Sequence, residues 1–218
     1  MITIRRAVYD DIPDIMRFMD EHWKPGNILA KNREFFEWQF LDGEKLNMFI
    51  GVDEECGKIY GMIGAVVYNK RQNPDISGCT WQVIKSDNPT LGLDLSEYMK
   101  KQLDWRFDFG AGLSKKAVRI NKLMGRVVIE MDHYYRLADR DDYKIARIED
   151  KVIPAAERTG YTLDRIYSVE EMKQIVPEET LADCILRKDY EYIEKRYFRH
   201  PVFQYDIWKI SDGKGTAH

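Results

Sequence analysis

The sequence predicts an α/β (α+β) fold in which a mixed sheet is flanked by helices. Several short runs alternate apolar and polar residues, as strands do, and others repeat apolar residues at the helical spacing i, i+3, i+4. Over residues 2–137 these runs follow the order β-α-α-β-β-β-α-β-α-β-β, and such mixing is typical of a layered α/β domain. Hydrophobic residues make up 44% of the 218 residues, which is enough to form a buried core.

The first elements are a strand and two helices. Residues 2–8 alternate like a strand. The next helix carries its apolar residues on one face, namely Ile12, Ile15, Met16 and Met19. Pro25-Gly26 ends this segment, and residues 34–40 form a short aromatic helix.

The remaining elements up to residue 137 alternate between strands and helices. Strands are expected at residues 46–52, 59–68, 80–85, 105–109, 127–131 and 134–137. One helix is expected at residues 93–103, and a second begins after Ser114, whose hydroxyl can cap it, and ends at Gly125.

The later part of the chain has a different character. Residues 138–189 are interpreted as a linker with some structure, including a strand near 144–148 and a helix at 169–175 capped by Ser168. The aromatic, acidic pattern of residues 34–40 returns at residues 191–197, and a strand-like run follows each copy. This echo predicts that residues 190–218 begin a second unit similar to the first. Because the second copy stops early, either the chain belongs to a longer protein or its tail is used differently.

Charge and cysteine content exclude several function classes. The net charge of −3 gives no basic stripe for phosphate backbones, so nucleic acid is not the expected ligand. Cys56, Cys79 and Cys184 lie far apart without metal-site spacing, so no metal is expected, and their odd number favours the reducing cytoplasm. No signal peptide and no run of about 18 apolar residues is found, so no membrane span is expected.

Three segments carry a resemblance to a known family. The strand, turn and helix of residues 80–95, the opening of residues 4–15, and residues 110–125 resemble, in order and spacing, the GNAT superfamily of acyl-CoA-dependent N-acyltransferases. The resemblance covers about residues 2–137 and implies a GNAT-like acyl-CoA-binding domain at residues 1–137. More narrowly, residues 22–24 with 34–38, residues 133–136 and residues 196–201 resemble GNAT-like proteins of bacterial surface-polysaccharide synthesis, in which a second GNAT-like half follows.

The resemblance implies where acetyl-CoA, or another acyl-CoA, would bind. The pantetheine arm would run along a strand, and the pyrophosphate would sit on the amides at the start of a helix, where the dipole favours anions. Gly92 matches the family's loop, whereas Pro89 and Asp94 depart from it, and a carboxylate at Asp94 would repel a pyrophosphate. The implied cofactor-binding residues are Gln82, Val83, Ile84, Leu91, Gly92, Leu93, Asp94, Leu95 and Asn121.

The same resemblance implies the catalytic and acceptor residues. In the family a Tyr of the last helix often protonates the leaving thiolate, but Asn121 holds that position here and cannot act as an acid. Tyr134 and Tyr135 are the candidate replacements, with His133 as a candidate base. An acceptor cleft is expected to use His22, Trp23, Glu37 and Trp38, although aromatic helix residues are also common in cores.

Three functions follow from these residues. The first is an N-acyltransferase, with acetyl as the expected group, acting on a small-molecule amine such as a nucleotide-linked amino sugar. The second is a non-catalytic domain that binds CoA or another ligand after the loss of the catalytic Tyr. The third is an aminoacyl transferase of cell-wall precursors, which would require charged tRNA. A homodimer is left open.

Overall fold

The computed structural model describes residues 1–132, 134–144, 147–153, 155 and 160–212. The chain divides into two units. The first comprises Met1–Ala111 with Arg165–Trp208, and the second comprises Gly112–Asp164 with Lys209–His218.

The main sheet of the first unit has five strands. They span Ile2–Arg6 (β1), Met48–Asp53 (β4), Lys58–Val67 (β5), Asp75–Val83 (β6) and Phe107–Asp108 (β7), and a short hairpin of Leu41–Asp42 (β2) and Lys45–Leu46 (β3) precedes β4. In space the order is β1-β4-β5-β6-β7, with every neighbouring pair antiparallel except β6 and β7, which are parallel. The mixed sheet with helices expected from the sequence is therefore confirmed.

Helices precede, follow and interrupt the strands. They span Ile12–Phe18 (α1, continued by a π-helical turn at Met19–Trp23), Ile28–Lys31 (α2), Arg33–Phe40 (α3), Leu91–Leu103 (α4), Lys115–Leu123 (α5), Val169–Ile175 (α6), Glu178–Asp183 (α7) and Tyr190–Ile193 (α8, continued by a π-helical turn at Glu194–Phe198). Thr162–Ile166 (β8) and Ile207–Ser211 (β9) form a two-stranded sheet. Within the described ranges no helix has both the length and the apolar composition needed to cross a membrane.

Polar caps fix where several helices begin. The Ser114 hydroxyl accepts a hydrogen bond from the amide of Ala117, and the Ser168 hydroxyl accepts one from the amide of Glu171. Each bond satisfies an amide that the first helical turn leaves without a partner. Both caps and the helix at residues 169–175 are confirmed as the sequence predicted them.

Two hydrophobic clusters cover the two faces of the sheet. Met48, Ile50 and Val52 of β4 pack with α1, α2 and α3, whereas Phe49 packs with α4. This division follows from the strand period, because successive side chains point to opposite faces. The helices on both sides thus hold the central strands in place.

A bulge interrupts β6 near its middle. Met62 pairs with Gln82 and Gly64 pairs with Cys79, so β6 contains one more residue than β5 across this interval. Thr80 lies within the extra stretch with φ +50°, a region that costs a non-glycine residue energy. A Cβ at Gly64 would come within 2.8 Å of Thr80 Oγ1, so glycine is required opposite the bulge.

Some expected strands are not formed. The residues described between 126 and 138 contain no strand, so the strands expected at 127–131 and 134–137 are wrong. Val127 and Ile129 alternate with polar residues yet are 92% and 76% exposed, because alternation stabilises a strand only beside a partner and a buried face. The strand expected near 144–148 includes residues 145 and 146, which lie outside the described ranges.

Candidate functional site

Strand β6 has an open edge on the side of β7. The two strands pair only over Asp75–Ile76 and Phe107–Asp108, and the amide of Gly78 donates to the Asp108 carboxylate at 3.1 Å instead. Beyond this point, no described strand pairs with β6 on that side. The two parallel strands therefore stop pairing beside Gly78.

The backbone after the bulge presents amides to this open edge. The amide of Ile84 donates to Tyr60 O at 2.9 Å, on the side of β5. Because successive amides of an extended strand point in opposite directions, the Val83 N–H points to the open edge. An extended ligand chain could pair there with the main chain. The Gln82 side chain is engaged locally, since its Nε2 donates to Val83 O at 3.0 Å.

The start of α4 is closed by its own side chains. The Asp94 carboxylate accepts hydrogen bonds at 2.9 Å from both Asn88 Nδ2 and Thr90 Oγ1. The Thr90 amide donates to Asn88 Oδ1, and the amides of Leu93 and Asp94 donate to Thr90 O. An anion binding here would replace some of these bonds and meet the charge of Asp94.

The first turn of α4 leaves few side chains for a cofactor. A Cβ at Gly92 would lie 3.5 Å from Trp81 Nε1, which donates to Gly92 O at 3.1 Å, so Gly92 faces the indole. Leu91 and Leu95 are buried, and Leu93 is exposed. Contacts to a cofactor at these positions would therefore come mainly from the backbone.

A cavity of about 460 Å³ is lined in part by residues of β5 and β6. Its walls come from the end of α3, the β2–β3 turn, the end of β5, the start of β6 and the segment containing α8. The lining residues include Trp38, Asp42, Tyr68, Lys70, Ser77, Cys79, Asp189, Glu191, Tyr192, Lys195 and Arg196. Among the acceptor residues predicted from the sequence, Trp38 is one that lines this cavity.

Aromatic rings and two cations meet at one wall of the cavity. The Lys195 Nζ lies 5.4 Å from the Trp38 ring centroid, and the Arg196 guanidinium carbon lies 5.8 Å from it. Both distances are within the range of cation–π contacts. Tyr68 and Tyr192 meet edge to face with their ring centroids 4.8 Å apart. Flat rings beside charged groups suit a ligand that combines a sugar ring with charge.

The acidic residues of the cavity have partners within the protein. Asp42 contacts the Lys70 ammonium at 2.5 Å, and Glu191 contacts the same ammonium at 3.5 Å. The two oxygens of Asp189 accept hydrogen bonds from the amides of Tyr192 and Lys70. Asp189 thereby caps α8 and ties it to the end of β5.

Burial changes the acidity of several cavity groups. It raises the pKa of the Cys79 thiol to about 12, so this thiol stays protonated and is a poor nucleophile at neutral pH. It also raises the pKa of Tyr68 and of Tyr192 and lowers the pKa of Lys195. In each case desolvation is the largest cause, because burial disfavours the charged form.

Three predicted acceptor residues have other surroundings. His22 meets Phe18 edge to face at 5.0 Å and lines a smaller depression of about 240 Å³. Trp23 packs against the cluster around α1–α3. The Glu37 carboxylate accepts a hydrogen bond from Arg33 at 2.7 Å. Their role in acceptor binding stays a prediction.

Four predicted residues belong to the second unit. The Asn121 side chain is buried, where it donates to Ala117 O at 2.8 Å and accepts from Arg126 at 3.2 Å. Tyr134 is exposed and donates to Asp132 at 3.1 Å, and Tyr135 is 66% exposed. His133 lies outside the described residues.

Sequence reasoning missed most of the cavity wall. Lys195 and Arg196 lie in the helix that repeats the pattern of residues 34–40, but two adjacent cations on a helix are common and do not by themselves predict a binding site. Tyr68 and Cys79 come at the end of one strand and near the start of the next, and only the pairing of β5 with β6 brings them together. The return of the aromatic pattern at residues 191–197 was the one available hint.

Comparisons with known proteins find similar solved structures. No protein-family model and no curated protein matches the chain. An acetyltransferase of Trypanosoma brucei is 11% identical with a TM-score of 0.47, over 63% of this chain and 100% of that chain. The aminoglycoside N-acetyltransferase AAC(6')-Iy in complex with CoA is 14% identical with a TM-score of 0.48, over 63% and 95%. Glucosamine-6-phosphate N-acetyltransferase from Arabidopsis thaliana is 16% identical with a TM-score of 0.42, over 62% and 99%. These values leave the chemistry to be judged from the site itself.

Proposed function

We propose that the chain is an acyl-CoA-dependent N-acyltransferase that uses acetyl-CoA and acetylates an amino sugar of surface-polysaccharide synthesis. One observation carries this proposal, namely that the open edge and the cavity share strand β6. Ser77 and Cys79 line the cavity, and residues after Thr80 lead along the open edge toward α4. A thioester at the edge and an amine in the cavity would approach each other on one strand, and such positioning accelerates acyl transfer strongly.

Each part of the donor has a proposed place. The pantetheine arm pairs with the backbone of Gln82–Ile84, where the Val83 amide points outward. The pyrophosphate approaches the start of α4, where the helix dipole attracts anions and the Asp94 carboxylate opposes them. The proposed donor site is thus weakened by a residue of its own.

The leaving thiolate needs a proton donor other than Asn121. Tyr134 and Tyr135 stay candidates for this role. Tyr68 is a further candidate, because it lines the cavity and its raised pKa keeps the phenol protonated. A phenol is well matched in acidity to a leaving thiol.

Turnover and binding test the proposal together. We expect release of free CoA thiol when the chain is mixed with acetyl-CoA and free or nucleotide-linked amino sugars. Tyr→Phe at the true donor should lower turnover by roughly 10²-fold or more while CoA affinity stays nearly unchanged. Calorimetry with CoA should detect binding, and Asp94→Asn should tighten it because it removes the charge and keeps an oxygen for Asn88 and Thr90. Failure of both proteins to bind CoA would contradict the proposed donor.

A second candidate is a non-catalytic domain that keeps a ligand site. The buried Asn121 side chain, with its bonds to Ala117 and Arg126, favours this alternative, because an amide in that place cannot supply a proton. Binding of CoA without turnover on any amine of the panel would support it over the enzyme.

A further inference from the structure

Lys195 and Arg196 bring two positive charges to one wall of the cavity. Both side chains are half-buried and both lie near the Trp38 ring. Neither has an ion pair with a described carboxylate, since the closest cation contacts of Asp42 and Glu191 are to Lys70. Contact with the ring does not cancel their charge. Two half-buried cations therefore lie at the cavity wall without a described carboxylate in direct contact.

The three carboxylates of the cavity make their direct contacts with groups other than Lys195 and Arg196, and Asp42 and Glu191 also attract Lys195 from a greater distance. Asp42 and Glu191 share Lys70, and Asp189 accepts backbone hydrogen bonds at the start of α8. Burial already disfavours the charged form of Lys195, as the lowered pKa of its ammonium indicates. A bound anion would relieve this cost, and arginine with lysine is a common pair for phosphate.

The shape of the cavity limits the rest of the ligand. Its volume of about 460 Å³ suits a small molecule. Trp38, Tyr68 and Tyr192 line the cavity with aromatic rings, which suit a sugar. The ligand that fits these features is a sugar that carries a phosphate.

We propose that this cavity binds a phosphorylated amino sugar, with Lys195 and Arg196 on the phosphate and Trp38 beside the sugar ring. The identification of this sugar as the acetyl acceptor rests on the proposed function, whereas its binding does not. The phosphate is that of a free sugar phosphate or the diphosphate of a nucleotide-linked sugar, which share the same anionic chemistry. The segment at residues 189–196 is then part of the site.

Calorimetry without acetyl-CoA tests the proposal. The probes are glucosamine, glucosamine 1-phosphate, glucosamine 6-phosphate, uridine-diphosphate-linked glucosamine and inorganic phosphate. We expect at least one phosphorylated sugar to bind roughly tenfold or more tightly than glucosamine and than inorganic phosphate. The relative affinity of the free and nucleotide-linked forms identifies the source of the phosphate. Equal affinity for phosphorylated and unphosphorylated sugars would overturn the proposal.

Matched variants locate the phosphate. Lys195→Gln and Arg196→Gln should each weaken binding of the phosphorylated sugar by roughly tenfold, with glucosamine unaffected. Arg199→Gln removes the same charge from the same segment, but Arg199 pairs with Glu194 and does not line the cavity, so it should bind normally. Equal loss in all three variants, or none in the first two, would contradict the assignment.

A thermal-shift measurement on the unaltered protein keeps the test independent of how the variants fold. The phosphorylated sugar should raise the melting temperature, and the unphosphorylated sugar at the same concentration should raise it less. Binding without acetylation would leave this inference standing and remove the proposed enzyme activity. Acetylation of amino sugars with no preference for phosphate would do the reverse.

Discussion

Helix α3 and the helix at residues 190–198 share a sequence pattern but differ in surroundings. Glu34, Phe36 and Glu37 correspond in spacing to Glu191, Ile193 and Glu194. Phe36 and Ile193 are both buried, at 0% and 4% exposure, so each copy anchors its helix through the same position. The shared pattern therefore specifies one buried position in each helix, whereas the burial of the other positions depends on the residues around them.

The remaining positions show what the neighbours decide. Phe35 and Phe40 of α3 are buried against the sheet cluster or the tail, whereas Tyr192 and Tyr197 are only half-buried. Trp38 corresponds in spacing to Lys195, and these two residues face each other 5.4 Å apart at the cavity wall. The two helices line the same cavity. Helix α3 belongs to the core, whereas the helix at residues 190–198 covers the cavity. A duplicated origin of the copies stays a prediction.

The largest expected effect is on the free energy of unfolding, and it should differ between the two buried positions, Phe36 and Ile193. Phe36→Ala should lower the free energy of unfolding by about 3–5 kcal/mol, because it leaves a cavity in the main cluster. Ile193→Ala removes a smaller side chain from the covering helix and should mainly loosen that helix. Urea unfolding gives the global values, and hydrogen exchange at residues 190–198 gives the local one. Equal global losses would show that the two helices are equally central.

An effect of pH on stability should be confined to residues 190–205, the segment that covers the cavity. Burial, with a smaller contribution from Arg196, lowers the pKa of His200 below its ordinary 6.5. His200 also contacts Trp38, with ring centroids 4.3 Å apart, and its Nδ1 accepts hydrogen bonds from two backbone amides. On acidification the unfolded chain therefore takes up a proton on His200 before the folded protein does. The contribution of neutral His200 to the free energy of unfolding is complete above about pH 6.5 and is lost as pH falls through the folded pKa.

The pH effect is measured by melting temperature and hydrogen exchange between pH 7.5 and 5. The tail around residues 190–205 should lose protection on acidification, and His200→Gln should lessen that dependence. An unchanged pH profile in the variant would assign the effect to other groups.

The smallest expected effect concerns Glu37 of α3. Glu37→Gln should leave stability and sugar binding nearly unchanged, because Glu37 forms a partly exposed ion pair with Arg33 and does not line the cavity. A marked loss of sugar affinity in calorimetry would instead restore Glu37 as an acceptor residue. Trp38→Ala is the positive control on the same helix and should weaken binding.

Local signals in the sequence predicted much of the first unit. Periodicity and caps located most helices, since the amides of a first turn need nearby partners. The start of β6 was missed, because Ser77 and Gly78 weaken the strand pattern and only pairing with β5 shows it. The opposite error at residues 127–137 came from alternation without a neighbouring strand.

The candidate site was less predictable than the fold. Trp38 was expected, but its companions lie near residues 68, 79 and 195, and no local pattern joins positions so far apart. The effect of Asp94 was predicted in part, since its carboxylate stands in a loop that was expected to bind an anion. Its bonds to Asn88 and Thr90 depend on the turn geometry, which the sequence alone does not determine.

Asp75 is wholly buried and joins segments made at very different times during synthesis. Its carboxylate accepts hydrogen bonds from the Arg106 guanidinium and from the amide of Arg187, which lies 112 positions later, and Arg106 also donates to Ile185 O. During synthesis the Asp75–Arg106 pair can form once Arg106 has left the ribosome. The segment that covers the cavity can dock only after Arg187 has been made. Contacts of such long range form slowly, so the sheet would exist for a time with its cavity uncovered. We therefore expect that a separately supplied tail would complete the cavity after the sheet has formed.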